Sequence, residues 1–197
     1  GCAAQLNPDA FAAMGEVDRV LGNEEKLDPA ILAGDGAKVA VADIMTVRET
    51  APHLISGLEG RTRAFVQIQQ GCDHRCTYCI IPFARGPNRS VAADAIIAQV
   101  RGLVDAGYLE VVLTGVDICS YGADVTGTPG LSRLISTLLA AGPDLARRRL
   151  STLDPAGVDD GLIGPVAEEQ RLVATAQRRL HAHAADAPTR RRGLPAR

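Results

Sequence analysis

Gly71-Cys72-Asp73-His74-Arg75-Cys76-Thr77-Tyr78-Cys79-Ile80-Ile81-Pro82 is the stretch on which the reading of this chain turns. Three of the five cysteines in 197 residues fall within it, spaced C-x3-C-x2-C. A short loop carrying three thiolates can hold three irons of a cubane iron–sulfur cluster and leave the fourth iron without a protein ligand. An open iron can take a substrate or cofactor, so the spacing points to catalysis more than to electron storage. Three plainer readings compete. A disulfide framework would leave an odd thiol among crowded cysteines, and no secretory leader is legible. A structural zinc site would recruit His74 as fourth ligand, although zinc knuckles usually come as two distant pairs and only Cys2 and Cys119 remain for a second one. Inert thiols clustered by chance are the third.

Working outward, Thr62–Gly71 is rich in strand formers and ends in a glycine that can turn the chain sharply. A helical pattern follows the third cysteine. Strand, cysteine loop and helix in that order put the thiols at the C-terminal end of a strand, where parallel α/β barrels build their active sites. The alternation continues. Ser90 caps a predicted helix to Ala106 that stops at Gly107, with Val91, Ile96, Val100, Leu103 and Val104 as its buried stripe. Leu109–Thr114 reads as a mostly apolar strand with both faces covered. A helix over Leu131–Ala141 stopped by Gly142, a strand over Arg149–Leu153 and a weaker helix over Val158–Glu169, interrupted at Gly164-Pro165, complete three strand–helix units. Such units imply parallel strands joined by right-handed crossovers.

Upstream, Asn7-Pro8 opens a short helix through Met14, Val17–Leu21 is a small strand, and Asn23-Glu24-Glu25 starts a second helix with acids at its positive end. Residues 33–61 read as linker sequence around one short strand, Val39–Val41. With 3% aromatics and no Trp, the core must be built from Ala, Val, Leu and Ile. No apolar run approaches the roughly 20 residues of a membrane span, so no membrane contact and a cytoplasmic location are expected.

The block GCDHRCTYCIIPFARGPNRS at 71–90 resembles the cluster loop of the radical S-adenosylmethionine methylthiotransferases. Within that family it is most similar to the branch acting on N6-threonylcarbamoyladenosine beside the tRNA anticodon. Three further blocks agree in order and spacing: GCAAQ at 1–5 with FAAMGEVDRVLGNEEKLDP at 11–29, LVDAGYLEVVLTGVDICSYGAD at 103–124, and RLSTLDPAGVDDGLI at 149–163. The resemblance covers about residues 1–171.

That resemblance implies an α/β fold: the back part of a small α/β N-terminal domain (1–45), a linker (46–61), and about half of a partial (β/α)6 radical-SAM barrel (62–170). It implies a [4Fe–4S] cluster on Cys72, Cys76 and Cys79, with S-adenosylmethionine on the open iron. Cys2 becomes one of three ligands of a second, auxiliary [4Fe–4S] cluster whose other two ligands lie upstream of Gly1, so the sequence reads as N-terminally incomplete. The reaction implied is methylthiolation at C2 of the modified adenosine in tRNA, with an electron-donor protein as second partner; no side chain is assigned as an acid, base or nucleophile. Tyr78 would lie against the cofactor's adenine, with core packing as the plain alternative. Gly115, at the end of the second strand, would meet the methionyl group or serve as an ordinary turn glycine. Ser151 would face the cofactor or be a plain strand residue. Arg85 and Arg89 would pair with phosphate or the threonylcarbamoyl carboxylate, or be solvated charges.

The end of the chain departs from the family. Residues 171–197 hold seven Arg and one acid, a local charge of +6, leaving −8 on the rest of a chain whose total is −2. The expectation is a shifted reading frame near residue 170, against a basic RNA-binding tail as the functional alternative. The competing reading for the whole is a catalytically incompetent fragment that at most binds one cluster, with a sheet edge left open after the third strand.

Overall fold

In the computed structural model, which describes residues 1–48, 62–125, 130–141 and 145–176, two sheets built mainly on parallel pairing organise the chain. The N-terminal segment contributes α1 (Cys2–Leu6), α2 (Pro8–Ala12), β1 (Val20–Leu21), α3 (Pro29–Ala33) and β2 (Val39–Ala40). Asn7 caps α2 as its sequence predicts, its side chain accepting the Ala10 N–H at 3.3 Å with Pro8 in the first turn. The helix expected from Asn23 is a 3₁₀ turn, Glu25–Leu27; α3 starts after Asp28, which accepts from Ala30 N and Ile31 N ahead of Pro29. The better N-cap wins. β1 and β2 pair in parallel, Val20 opposite Val39.

The larger sheet holds β3 (Arg63–Gln70), β4 (Arg89–Ser90), β5 (Glu110–Gly115), β6 (Arg147–Leu153) and β7 (Leu172–Ala176) in the order β4-β3-β5-β6-β7. β3, β5, β6 and β7 are parallel neighbours, and only β4 runs antiparallel against the end of β3. Between them lie α4 (Ile81–Arg85), α5 (Ala93–Asp105), α6 (Leu131–Ala141) and α7 (Asp160–Glu168). The structure is therefore α/β, as expected. β7 is an addition: the sheet continues past the third parallel strand, with Leu172 buried against the core and Arg148 paired opposite it. The edge that the sequence reading left open after β6 is covered.

Two other expectations are corrected. Ser90 does not cap α5; it belongs to β4 and gives both its backbone N–H and its hydroxyl to Asp124. The helix begins three residues later. Pro165 does not interrupt α7, which runs unbroken from an Asp159 cap that accepts the Leu162 N–H at 2.9 Å. Gly142, the linker residues 49–61 and residues 177–197 of the tail lie outside the described residues.

The sheet has two unlike faces, set by period-2 alternation. Ala64, Val66 and Ile68 of β3, Val111 and Leu113 of β5 and Leu150 of β6 join Ile96, Val100 and Leu103 of α5 and Leu134, Ile135 and Leu138 of α6 in one core. The alternate positions are Phe65, Gln67 and Gln69 on β3, Thr114 on β5, and Arg149 and Ser151 on β6, so the second face turns polar toward the strands' C-terminal ends. The site lies there. Removing a buried side chain's packing should cost far more than the same change at the surface: Leu134→Ala, at 0% exposure, should lose about 3 kcal/mol of unfolding free energy in a urea titration. Leu109→Ala, at 58% exposure, should stay within about 0.5 kcal/mol of the parent.

Candidate metal and cofactor site

The cysteine loop leaves β3 through Gly71, which holds φ at +71° with Pro87 O packed so closely that a Cβ has no room. The loop is then pinned by its own backbone. Cys72 N donates to Gly86 O at 3.1 Å, and Cys79 N donates to Cys76 O at 3.0 Å. Cys72 is buried, Cys76 and Cys79 are half-buried, and all five cysteines are thiols outside any disulfide. Burial pushes the Cys72 thiol up to about 11; the His74 backbone N–H opposes this, and negative charge on Asp117, Cys79 and Cys76 adds to it. Cys76 and Cys79 both lie within electrostatic reach of Cys72.

Beneath the loop sits a buried polar network that sequence patterning missed. The Gln69 amide nitrogen donates to Gln70 O, Gly71 O and Asn88 Oδ1 at 3.0, 2.7 and 2.6 Å, and its oxygen accepts the Asp117 N–H at 2.8 Å. Asn88 extends the network: its N–H reaches Asp73 Oδ1, and its amide reaches Ser120 O and Asp124 Oδ1, each at 3.0 Å. Asp117 Oδ2 lies 3.8 Å from Cys72 Sγ and 3.0 Å from His74 Nε2. The ligand atoms of Cys72, His74 and Asp117 all fall within 4.8 Å of one another. The signal available in sequence was Gln67-x-Gln69-Gln70, polar residues crowded into a strand that should otherwise alternate.

Two cavities flank this network. One of about 380 Å³ lies over the ends of β3 and β5, bounded by Gln67, Gln69, Thr114, Gly115, Arg85 and Cys2. The other, about 190 Å³, is lined by His74, Asp117, Ser120 and Asp154. Gly115 is required by close approach rather than by φ: a Cβ there would stand 2.8 Å from both Gln69 Oε1 and Ile118 Cγ2. Cys2 reaches the first cavity from α1, where its sulfur accepts from Arg85 Nε at 3.2 Å while Arg85 also donates to Gln70 Oε1. Lys26 stands nearby with its ammonium pKa lowered, first by burial and then by the Arg85 charge.

The structure separates the remaining predicted site residues. Tyr78 is 67% exposed, so core packing is not its role. Ser151 is half-buried on the polar face of β6. Arg89, expected at substrate, is 1% exposed and turned inward: it pairs with Glu24 at 2.7 Å and donates to Arg85 O and Pro87 O. Its guanidinium ties the N-terminal segment to the loop after α4, and that contact leaves it no face toward a ligand.

A model of the radical SAM superfamily matches residues 66–163, from within β3 into α7, a span that carries the cysteine loop and the lining of both cavities apart from Cys2. The chain belongs to the radical SAM superfamily. Its relatives are methylthiotransferases. It is 48% identical over 173 residues to the threonylcarbamoyladenosine tRNA methylthiotransferase MtaB of Rickettsia prowazekii, an alignment taking in 88% of this chain and 41% of that protein. MtaB of Aquifex aeolicus is 35% identical, covering 87% of this chain and 42% of its own. The ribosomal protein uS12 methylthiotransferase RimO of Desulforudis audaxviator is also 35% identical, over 98% of this chain and 43% of its own. The chain thus spans about two fifths of the length of the curated relatives it matches.

For this radical SAM chain the turn at Gly71 is the most demanding backbone position in the site. Gly71→Ala should cost about 2 kcal/mol or more, because the left-handed conformation and the Pro87 carbonyl both oppose a Cβ. Urea unfolding monitored by circular dichroism reads it directly.

Proposed function

We propose that this chain carries the cluster-binding part of a tRNA methylthiotransferase that acts at C2 of N6-threonylcarbamoyladenosine next to the anticodon. The observation that carries the reading is the placement of Cys72, Cys76 and Cys79 on one anchored loop at the C-terminal ends of parallel strands, beside a 380 Å³ cavity. The donor set fits a [4Fe–4S] cluster: three thiols on one loop, two of them within electrostatic range of Cys72, with Cys72 N held by Gly86 O and Cys79 N by Cys76 O. Such a cluster, when bound and reduced, supplies one electron for reductive cleavage of S-adenosylmethionine.

The protein's own work is placement. Tyr78, exposed directly before the last cysteine, offers an aromatic face to the cofactor's adenine. Gly115 lines the cavity at the end of β5, where its backbone faces the cofactor's methionyl group, and Ser151 adds a hydroxyl on the same polar face. Arg85 lines the cavity with a guanidinium suited to the carboxylate of a threonylcarbamoyl group. Cys2, at the mouth of that cavity, is the ligand this segment contributes to an auxiliary [4Fe–4S] cluster, which brings sulfur chemistry to the same space. tRNA as substrate, an electron-donor protein and a cytoplasmic setting complete the reading. Among the described residues no helix is long and apolar enough to cross a membrane.

The test is anaerobic reconstitution with iron and sulfide, then dithionite and S-adenosylmethionine, with 5′-deoxyadenosine measured by chromatography. Production well above a Cys72→Ala/Cys76→Ala/Cys79→Ala triple variant is expected. A bound cluster with no cleavage would instead identify a family fragment without a working cofactor pocket. Zinc retained in place of iron, on the Cys72–His74–Asp117 constellation, would overturn the cluster assignment.

A further inference from the structure

We propose that Asp117 is the carboxylate that sets the reduction potential of the cluster held by Cys72, Cys76 and Cys79, making that cluster harder to reduce, and that Gln69 and His74 fix it in place. The inference rests on the cluster reading above and assigns a role to residues that reading does not use.

The geometry is specific. Asp117 is 5% exposed at the turn that follows β5. Its backbone N–H is taken by Gln69 Oε1 at 2.8 Å, and the amide nitrogen of the same Gln69 donates to Gly71 O at 2.7 Å, one residue before Cys72. One buried side chain therefore spaces the acid against the cysteine. Oδ2 of Asp117 then accepts from Ser120 Oγ at 2.7 Å and from His74 Nε2 at 3.0 Å, and it faces Cys72 Sγ at 3.8 Å. Among the three loop cysteines only Cys72 is fully buried, so the carboxylate stands beside the thiol that solvent screens least.

Binding of iron removes the Cys72 proton to solvent, and with it the S–H that now points to Oδ2. Thiolate and carboxylate then face each other as like charges in a site with little water. Adding one electron, from an external reductant, to an oxidised [4Fe–4S] unit raises its negative charge by one. A fixed anion opposes that step, whereas groups that neutralise the anion favour it. A cluster made harder to reduce is, once reduced, the stronger donor. Asp117 and His74 consequently act with opposite signs: the acid lowers the potential, and the histidine that binds the acid partly restores it.

The experiment is an EPR-monitored redox titration of the full chain reconstituted with iron and sulfide. Asp117→Asn, which removes the charge and nearly preserves shape, should move the midpoint to more positive potential. His74→Gln, at an exposed position that tolerates substitution, should move it to more negative potential. Both should keep the parent's line shape, because a merely structural role would disturb the spectrum in both variants without opposite shifts. A parent-like midpoint in a cluster-loaded Asp117→Asn protein overturns the inference, as does a shift of both variants in one direction. Should Asp117→Asn fail to take up a cluster, His74→Gln alone decides: an unchanged or raised midpoint overturns it. Absence of any cubane signal from the parent chain would bring down the cluster assignment itself, a result distinct from a signal that is present and unmoved.

Discussion

The Gln69 side chain is the constraint on which the site depends. It has no exposure to solvent, yet its amide serves the cysteine loop, the Asn88 turn and the turn after β5 at once. Each of those groups is buried, so each would be left unsatisfied without it, at about 1–3 kcal/mol apiece. Asn88 carries the constraint outward to Asp124, and Asp124 holds Ser90, so the short β4 is fastened to β3 through side chains as well as through its ladder. The loop after β3, the turn before β4 and the turn after β5 are thereby held in one register. The three thiols share the first of these, so the network fixes the spacing between their loop and the Asp117 carboxylate on the turn after β5.

The sequence made the strand–loop–helix order and the cysteine spacing legible because both are local. α6 was readable to the residue, Leu131–Ala141, since Leu131, Leu134, Ile135 and Leu138 repeat at helical spacing and bury one face. What escaped was non-local. Asp117 lies 45 residues from Cys72, and no periodicity announces that a turn after β5 returns to the cysteine loop. Arg89 looked like a ligand-facing charge because its partner, Glu24, is 65 residues away. β7 was hidden by composition: the Arg-rich sequence around it masks five residues, Leu172–Ala176, short and buried only at Leu172, as suits an outer parallel strand. Gln67 and Gln69, on the second face of β3, line a cavity, a use that strand propensity alone does not announce.

The N-terminal segment reaches the larger sheet's domain through contacts that converge on α4 and the turn after it. Asn23 Nδ2 donates to Ala84 O at 2.6 Å, Arg85 donates to Cys2, and Arg89 pairs with Glu24. A buried ion pair adds little stability compared with a packed apolar pair, because desolvating both charges offsets most of their attraction. Its value is in registry: either partner left alone in the interior is strongly unfavourable, so the two segments have one acceptable alignment. That alignment brings Cys2 to the cavity that also opens onto Thr114 and Gly115. A residue from the first helix and residues from two strand ends share one space, although 65 or more positions of sequence separate Cys2 from the strand residues.

Charge supplies the last step. Around Cys72 the chain collects three thiols and the buried Asp117 carboxylate, with His74 Nε2 as the basic group seated on that acid. Without a cation the Cys72 thiol stays protonated at neutral pH, since burial and the neighbouring anions hold it near 11. Deprotonating such a group is costly unless positive charge arrives with the event, and a cluster iron held there would supply it. The same arrangement that disfavours a bare thiolate would then couple proton release to metal capture. A cluster on this loop would also face a buried, fixed anion, and local charge is one of the levers on its reduction potential.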